Sequence, residues 1–255
     1  AIIGYMANNL LPARAGELVR AYILGDREGV SKMGTFGTIA VERLFDGVTL
    51  VLMLLIAGSI VGFEDSRLQV IAAASTVLFI IALASFYILT LDEARAKRVI
   101  HFFLRVLPER FEHQAETMAD SLVGSLRSVH DWRSLALVSL FSGIAWTVEA
   151  GAYAVIGQGF NMDVGFGHYA LLLAAANLAI IIPTFFGGTG PFEWAAKLVL
   201  VGGDVAENVA GAYSIIAHAV ILIPTTVLGL ILLWVYGVSF KRITHVEVTD
   251  REVSA

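Results

Sequence analysis

The segment NNLLPARAGELVRAYIL, residues 8 to 24, sets two Asn, two Arg and a Glu into largely apolar surroundings. Pro12 suits the first turn of a helix, where its missing N–H would be unpaired anyway. Arg14, Glu17 and Arg20 follow at intervals of three, along one side of that helix, with Asn9 and Gly16 nearby. Free N–H groups at a helix start together with a guanidinium make an anion site, suited to phosphate. The alternative is an Arg14–Glu17 pair that only sits at an interface. A second segment, PTFFGGTGPFEW, repeats the logic at residues 183 to 194. Gly187, Gly188 and Gly190 let backbone approach a ligand closely, Pro191 begins a helix, and Glu193 falls in its first turn, where the helix dipole favours a carboxylate. Here the alternative is a simple helix cap.

Three further groups stand out. Glu42 and Asp46, four apart with Arg43 between them, share a helix face, either as a functional cluster or as snorkelling interface anchors. Glu149 has no polar neighbour in sequence, which implies a partner brought by folding, such as His218 or Arg14. His218 alone reads as a packing residue before it reads as a proton carrier.

The elements that must position these groups are hydrophobic. Of 255 residues, 57% are hydrophobic and only 15% charged, and the mean hydropathy is +0.78, well outside soluble-domain usage. The chain reads as an all-α, polytopic integral membrane helix bundle. Charge inside a bilayer costs roughly 2.5–3.5 kcal/mol per residue, so the Glu and Arg residues above need a compensating role. Cysteine is absent, which removes disulfides, thiolate metal sites and thiol nucleophiles. No H-E-x-x-H or G-x-x-x-x-G-K-[ST] motif occurs, and the Ser214/His218 pair lacks a nucleophile elbow, so an enzyme is not expected, nor a cofactor, metal or nucleic-acid partner. The opening at Ala1, with an apolar stretch already under way, is read as a truncated start that lacks one or more helices, rather than as a signal peptide.

Full spans are expected at 36–61, 68–91, 134–160 and 209–237. Between the last two, residues 168–201 form two apolar pieces around the Pro/Gly-rich break, each too short to cross. Lys and Arg gather in the block 92–133 and in the tail 241–255, and are scarce in 62–67, 159–167 and 202–208, so the first pair is assigned to the cytoplasm and the rest to the outside. Residues 168–201 then start and finish outside, as a re-entrant hairpin, and residues 1–24 make a second one from the cytoplasm. Asn9, Pro12, Gly16 and Glu17 have weak counterparts in Asn177, Pro183, Gly190 and Glu193, as in an inverted-topology transporter. The expectation is one membrane domain over 1–240. In the block 92–133, Phe111, Ala115, Met118, Leu122, Leu126 and Val129 recur at helical spacing, fitting a helix on the membrane surface or a solvated hairpin on its own bundle.

NNLLPARAGELVRAYIL, ERLFD and GGTGPFE, in that order, resemble the membrane region of the lysylphosphatidylglycerol synthase (multiple peptide resistance factor) family and its stand-alone flippase-like relatives. The resemblance covers nearly the whole chain. It implies a domain that moves lipids between leaflets of the cell membrane, and points to Pro12, Arg14, Gly16, Glu17, Arg20, Glu42, Arg43, Asp46, Gly187, Gly188, Gly190 and Glu193. The synthases carry a soluble aminoacyl-transfer domain after the membrane part, whereas this sequence stops about 18 residues past its last span, so tRNA-dependent synthesis is not expected. The leading reading is a non-enzymatic translocase for an anionic phospholipid or a polyprenyl-phosphate-linked lipid, with Asn9 and Glu149 added to the lipid-handling residues. The alternatives are a lipid enzyme and a membrane adaptor for a lipid-modifying or glycosyl-transfer enzyme. A homo-oligomer or a partner enzyme is compatible with each.

Overall fold

A computed structural model describes residues 1–11, 16–62, 65–91, 132–181 and 186–236. Among these residues the regular structure is entirely helical. The helices are α1 (Ile2–Leu10), α2 (Gly16–Glu28), α3 (Lys32–Val61), α4 (Ser66–Leu91), α5 (Trp132–Gln158), α6 (Phe166–Ala179), α7 (Pro191–Gly202) and α8 (Glu207–Val235), with a 3-10 turn at Phe186–Gly188 before α7. The block 92–131 and the tail lie outside the described residues.

Four segments are long and apolar enough to cross a bilayer: Gly34–Val61, Ser66–Ile88, Trp132–Gln158 and Glu207–Val235. At 1.5 Å per residue they reach roughly 34 to 44 Å, beyond the ~30 Å hydrocarbon core. Ile56, Ile60, Val70, Ile80, Phe141, Val148 and Val155 stand exposed on them. In water so much apolar surface would aggregate, whereas in a bilayer it is the lipid contact. The chain is a multi-pass membrane protein. Asp65 caps α4, its Oδ1 accepting the Arg67 N–H at 2.8 Å. Hydrogen bonds from the Arg67 side chain hold this carboxyl at about 2, below its ordinary value.

The described residues fall into two compact units. Of the described residues, the first comprises 1–11, 16–41, 88–91 and 224–236. In it α1 and α2 pack on each other, and the crossing is a glycine contact. A Cβ on Gly16 would overlap the Gly4 carbonyl oxygen and come within 2.5 Å of Asn8 Oδ1. Ile3, Met6, Ala7, Val19 and Leu233 form the core. Close approach recurs at Gly229, where a side chain would overlap Met6. The Arg27 guanidinium donates to the Tyr236 carbonyl at 3.1 Å and lies 4.4 Å over its ring.

Of the described residues, the second unit comprises 42–62, 65–87, 132–181 and 186–223. Its centre is α6, buried from Tyr169 to Ala176 and again at Leu178 and Ala179. A helix that is apolar on every side belongs inside a fold. Its 14 residues reach only about 21 Å, too little to cross. The 12 residues of α7 reach about 18 Å. Ala174, Ala175 and Ala176 are fully buried, small enough to let neighbouring helices pack closely. α6 packs on α5 and α7. Tyr213 donates its hydroxyl to the Tyr153 carbonyl at 2.8 Å, joining α8 to α5 in the same core.

Candidate functional site

The chain enters α7 through three glycines in left-handed conformation: Gly187 (φ 64°), Gly188 (φ 92°) and Gly190 (φ 100°). Side chains are strained there. At Gly188 a Cβ would also overlap the Ile180 side chain, so this glycine serves the turn and its packing, whereas a Cβ on Gly190 would face open space. Pro191 opens α7, as expected of a proline at the first helical position. Glu193, two residues on, reaches back so that its Oε2 accepts the Gly190 N–H at 2.6 Å. This is the carboxylate half of a capping box.

The other oxygen of Glu193 does something a cap does not require. Oε1 lies 2.6 Å from His218 Nδ1 on α8, with side-chain exposures of 22% for Glu193 and 9% for His218. The imidazole is stacked on Phe192, the rings 4.2 Å apart and 20° from parallel. Phe192 in turn leans on Tyr153, 6.1 Å between centroids. One carboxylate therefore joins a helix start to a titratable ring across two helices.

The expectation that Glu149 pairs with His218 or Arg14 needs correcting for His218, which is held by Glu193. The neighbour of Glu149 is the Tyr153 hydroxyl, one turn along its own helix. The i, i+4 spacing of Glu149 and Tyr153 was a readable signal for this neighbour.

Glu42, Arg43 and Asp46 do come together. One Arg43 nitrogen lies 2.7 Å from Glu42 Oε1 and 2.9 Å from Asp46 Oδ2. The other Asp46 oxygen accepts the Ser142 hydroxyl of α5 at 2.6 Å. Ser142 is buried. Nothing in its sequence neighbourhood marks it, because its partner lies 96 residues away.

In the first unit the polar clamp centres on Asn8, which sequence reasoning passed over for Asn9. Asn8 Oδ1 accepts the Gly16 N–H at 2.7 Å, and its Nδ2 donates to Glu17 Oε1 at 3.0 Å. One amide thus satisfies an N–H at the start of α2 and fixes the acid of its first turn. Asn9 instead donates to Thr226 Oγ1 on α8 at 2.9 Å. Arg20 is half-buried on α2. Pro12 and Arg14 lie outside the described residues, as does Pro183. The counterpart of Asn9, Asn177, donates to the Leu173 carbonyl of its own helix at 3.0 Å. Among the described residues no three His, Asp or Glu side chains converge as a metal site would require.

A family model described as the lysylphosphatidylglycerol synthase TM region matches residues 1–229. A UPF0104 membrane protein of Methanothermobacter thermautotrophicus is 25% identical, over 90% of this chain and 70% of its own length. A second from that organism is 23% identical, over 94% and 75%. Glycosyltransferase AglD of Haloferax volcanii is 25% identical over 98% of this chain, which spans only 45% of that protein. No solved structure matches the chain.

Proposed function

The chain belongs to the lysylphosphatidylglycerol synthase TM-region family, and on that footing we propose that it is a lipid translocase of the cell membrane, moving an anionic phospholipid or polyprenyl-phosphate-linked lipid between leaflets. The observation that carries this reading is the start of α7: a glycine-broken backbone, a helix N-terminus and the Glu193–His218 pair, set within a unit of apolar helices. Irregular backbone and charge at membrane depth are tolerated where they line a cavity or are buried in protein. In this reading α6 and α7 are the limbs of a re-entrant hairpin open to the outside, and α1 and α2 the limbs of one open to the cytoplasm. Each hairpin then presents the start of its second helix, with an acid in the first turn, Glu17 or Glu193. The dipole of that turn attracts an anionic headgroup, and the fixed carboxylate opposes it and helps release. No bond of the lipid is made or broken.

The test is a purified protein in liposomes with labelled anionic lipid. Glu193→Gln removes the charge and keeps most of the acceptor capacity, so exchange between leaflets slows while lipid binding holds or tightens slightly. Unchanged exchange with lowered stability would reduce Glu193 to a cap and remove the support for transport by this hairpin.

A second reading, an accessory membrane part for a glycosyl-transfer enzyme, is favoured by the similarity to AglD. It predicts that alanine substitutions in the block 92–133 abolish function in cells while substitutions of Glu17 and Glu193 do not.

A further inference from the structure

Building on the translocase reading, we propose that the Glu193–His218 pair is a binding site for one proton, and that this proton accompanies the anionic lipid across the membrane. The contact between Oε1 and Nδ1, at 2.6 Å, is a short hydrogen bond, as a carboxylate acceptor favours. It leaves the pair two states separated by one proton. In the first, neutral His218 donates its Nδ1–H to the carboxylate and the pair carries −1. In the second, a proton has added at Nε2, and imidazolium and carboxylate cancel. Only an N–H bond forms or breaks between them.

The pair is built to take that proton reversibly. Phe192 holds the ring from one face and Glu193 fixes its Nδ1 edge, so the ring keeps its orientation in both states. Among the described residues Nε2 has no hydrogen-bond partner, and the ring keeps 7% exposure.

Among the described residues no third charge is bonded to the pair. On α7, Lys197 is taken by Glu207 of α8 at 2.6 Å. On α8, Tyr213 is spent on the Tyr153 carbonyl. On α5, Glu149 has Tyr153 beside it. On α6, Tyr169 lies against Gly157, and His168 against Gly203, just past the end of α7. On α3, Glu42, Arg43 and Asp46 are bound to one another and to Ser142. The added proton is therefore shared by the pair and by no other bonded group among the described residues.

The coupling follows from Coulomb's law. A pair at −1 repels an anionic headgroup arriving at the start of α7, and a pair at zero does not. At about 8 Å and an effective dielectric of about 20, the difference corresponds to roughly thirtyfold in affinity. Headgroup and proton thus load together and leave together, and a pH gradient drives the lipid from the acid to the alkaline side.

The experiment uses the full chain in liposomes with fluorescently labelled phosphatidylglycerol, labelled phosphatidylcholine as the zwitterionic control, and pH gradients imposed in either direction. Labelled phosphatidylglycerol should accumulate in the leaflet facing the alkaline side, and the control should not respond. His218→Gln keeps a donor for Glu193 but cannot take the proton, so the pair stays at −1, and exchange should slow and lose its dependence on the gradient. A wild type indifferent to the gradient, or a His218→Gln protein as responsive as wild type, overturns the proposal while leaving the translocase reading intact. Absence of all exchange by folded wild type sinks the translocase reading instead. The proton site is then decided by infrared difference spectra over about pH 5 to 8, where an imidazole changes charge. A histidine signal that vanishes in His218→Gln sustains the site, and spectra identical in the two proteins overturn it.

Discussion

Replacing Gly16 by Ala tests the crossing of α1 and α2 at its tightest point. The added methyl would overlap the Gly4 carbonyl oxygen, which belongs to a helix backbone and cannot swing away, and would come within 2.5 Å of Asn8 Oδ1. The helices must separate, at an overpacking cost of about 1–3 kcal/mol. Separation also pulls Asn8 off the Gly16 N–H and off Glu17, two hydrogen bonds worth about 1 kcal/mol each. The expected loss for Gly16→Ala is therefore about 3–5 kcal/mol. Asn8→Ala removes the two bonds without the clash and should lose about 2 kcal/mol. Gly143→Ala in α5 is the control, since a Cβ there meets nothing within 4 Å. It should gain about 0.5–1 kcal/mol from the helix preference for Ala. Reversible unfolding of the four proteins in one detergent, followed by circular dichroism, gives the order Gly143→Ala, wild type, Asn8→Ala, Gly16→Ala. If Gly16→Ala matched Gly143→Ala, the close crossing and the role of Asn8 would both be refuted.

Single cysteines in this Cys-free chain report topology: Asp163→Cys and Asp204→Cys should label from one side of the membrane, and Ala115→Cys and Thr249→Cys from the other. Labelling of 163 and 204 from opposite sides would end the outward-facing re-entrant hairpin. Arg14→Gln should weaken binding of anionic lipid more than Arg14→Lys does, because Lys keeps the charge and loses only the planar fork; equal binding by Arg14→Gln and wild type returns Arg14 to the interface anchors. The Asp65 cap of α4 should survive mild acid. Its carboxyl titrates at about 2 against an ordinary 3.8, so its stabilisation is complete above about pH 4 and is lost as the pH falls towards 2. Asp65→Asn should lack that acid limb in the melting temperature, and a limb that persists would assign it to other carboxylates.

The spans were legible because hydropathy is a local property. The stretch 36–61 lies within α3, which starts four residues earlier at Lys32, since a helix need not end where its apolar surface does. Likewise α2 runs on to Glu28, past the apolar part that suggested an end at 24. Pro191 and Glu193 were legible for the same reason, as a helix start is written in consecutive residues. Contacts across the fold were not. Glu193 meets His218 over 25 residues and Asp46 meets Ser142 over 96. Packing decides such partners, and a hydroxyl or imidazole on an apolar helix looks alike whether it faces an acid or a backbone carbonyl. Asn8 and Asn9 show the limit most plainly: adjacent and identical, they point to α2 and to α8.

The burial of α6 bears on how the protein is made. A segment that is short and covered on every side by its own chain gains nothing from meeting lipid, and its alanines offer the bilayer little to hold it. Its shelter is supplied by α5, which precedes it, and by α7, which follows. It can therefore settle only after residues up to Gly202 have left the ribosome. Until then α6 should need shelter from something other than its own chain. Arrest of synthesis between α6 and α7 should leave that helix accessible to protease, while α3 and α4, which reach across the bilayer by themselves, are already protected.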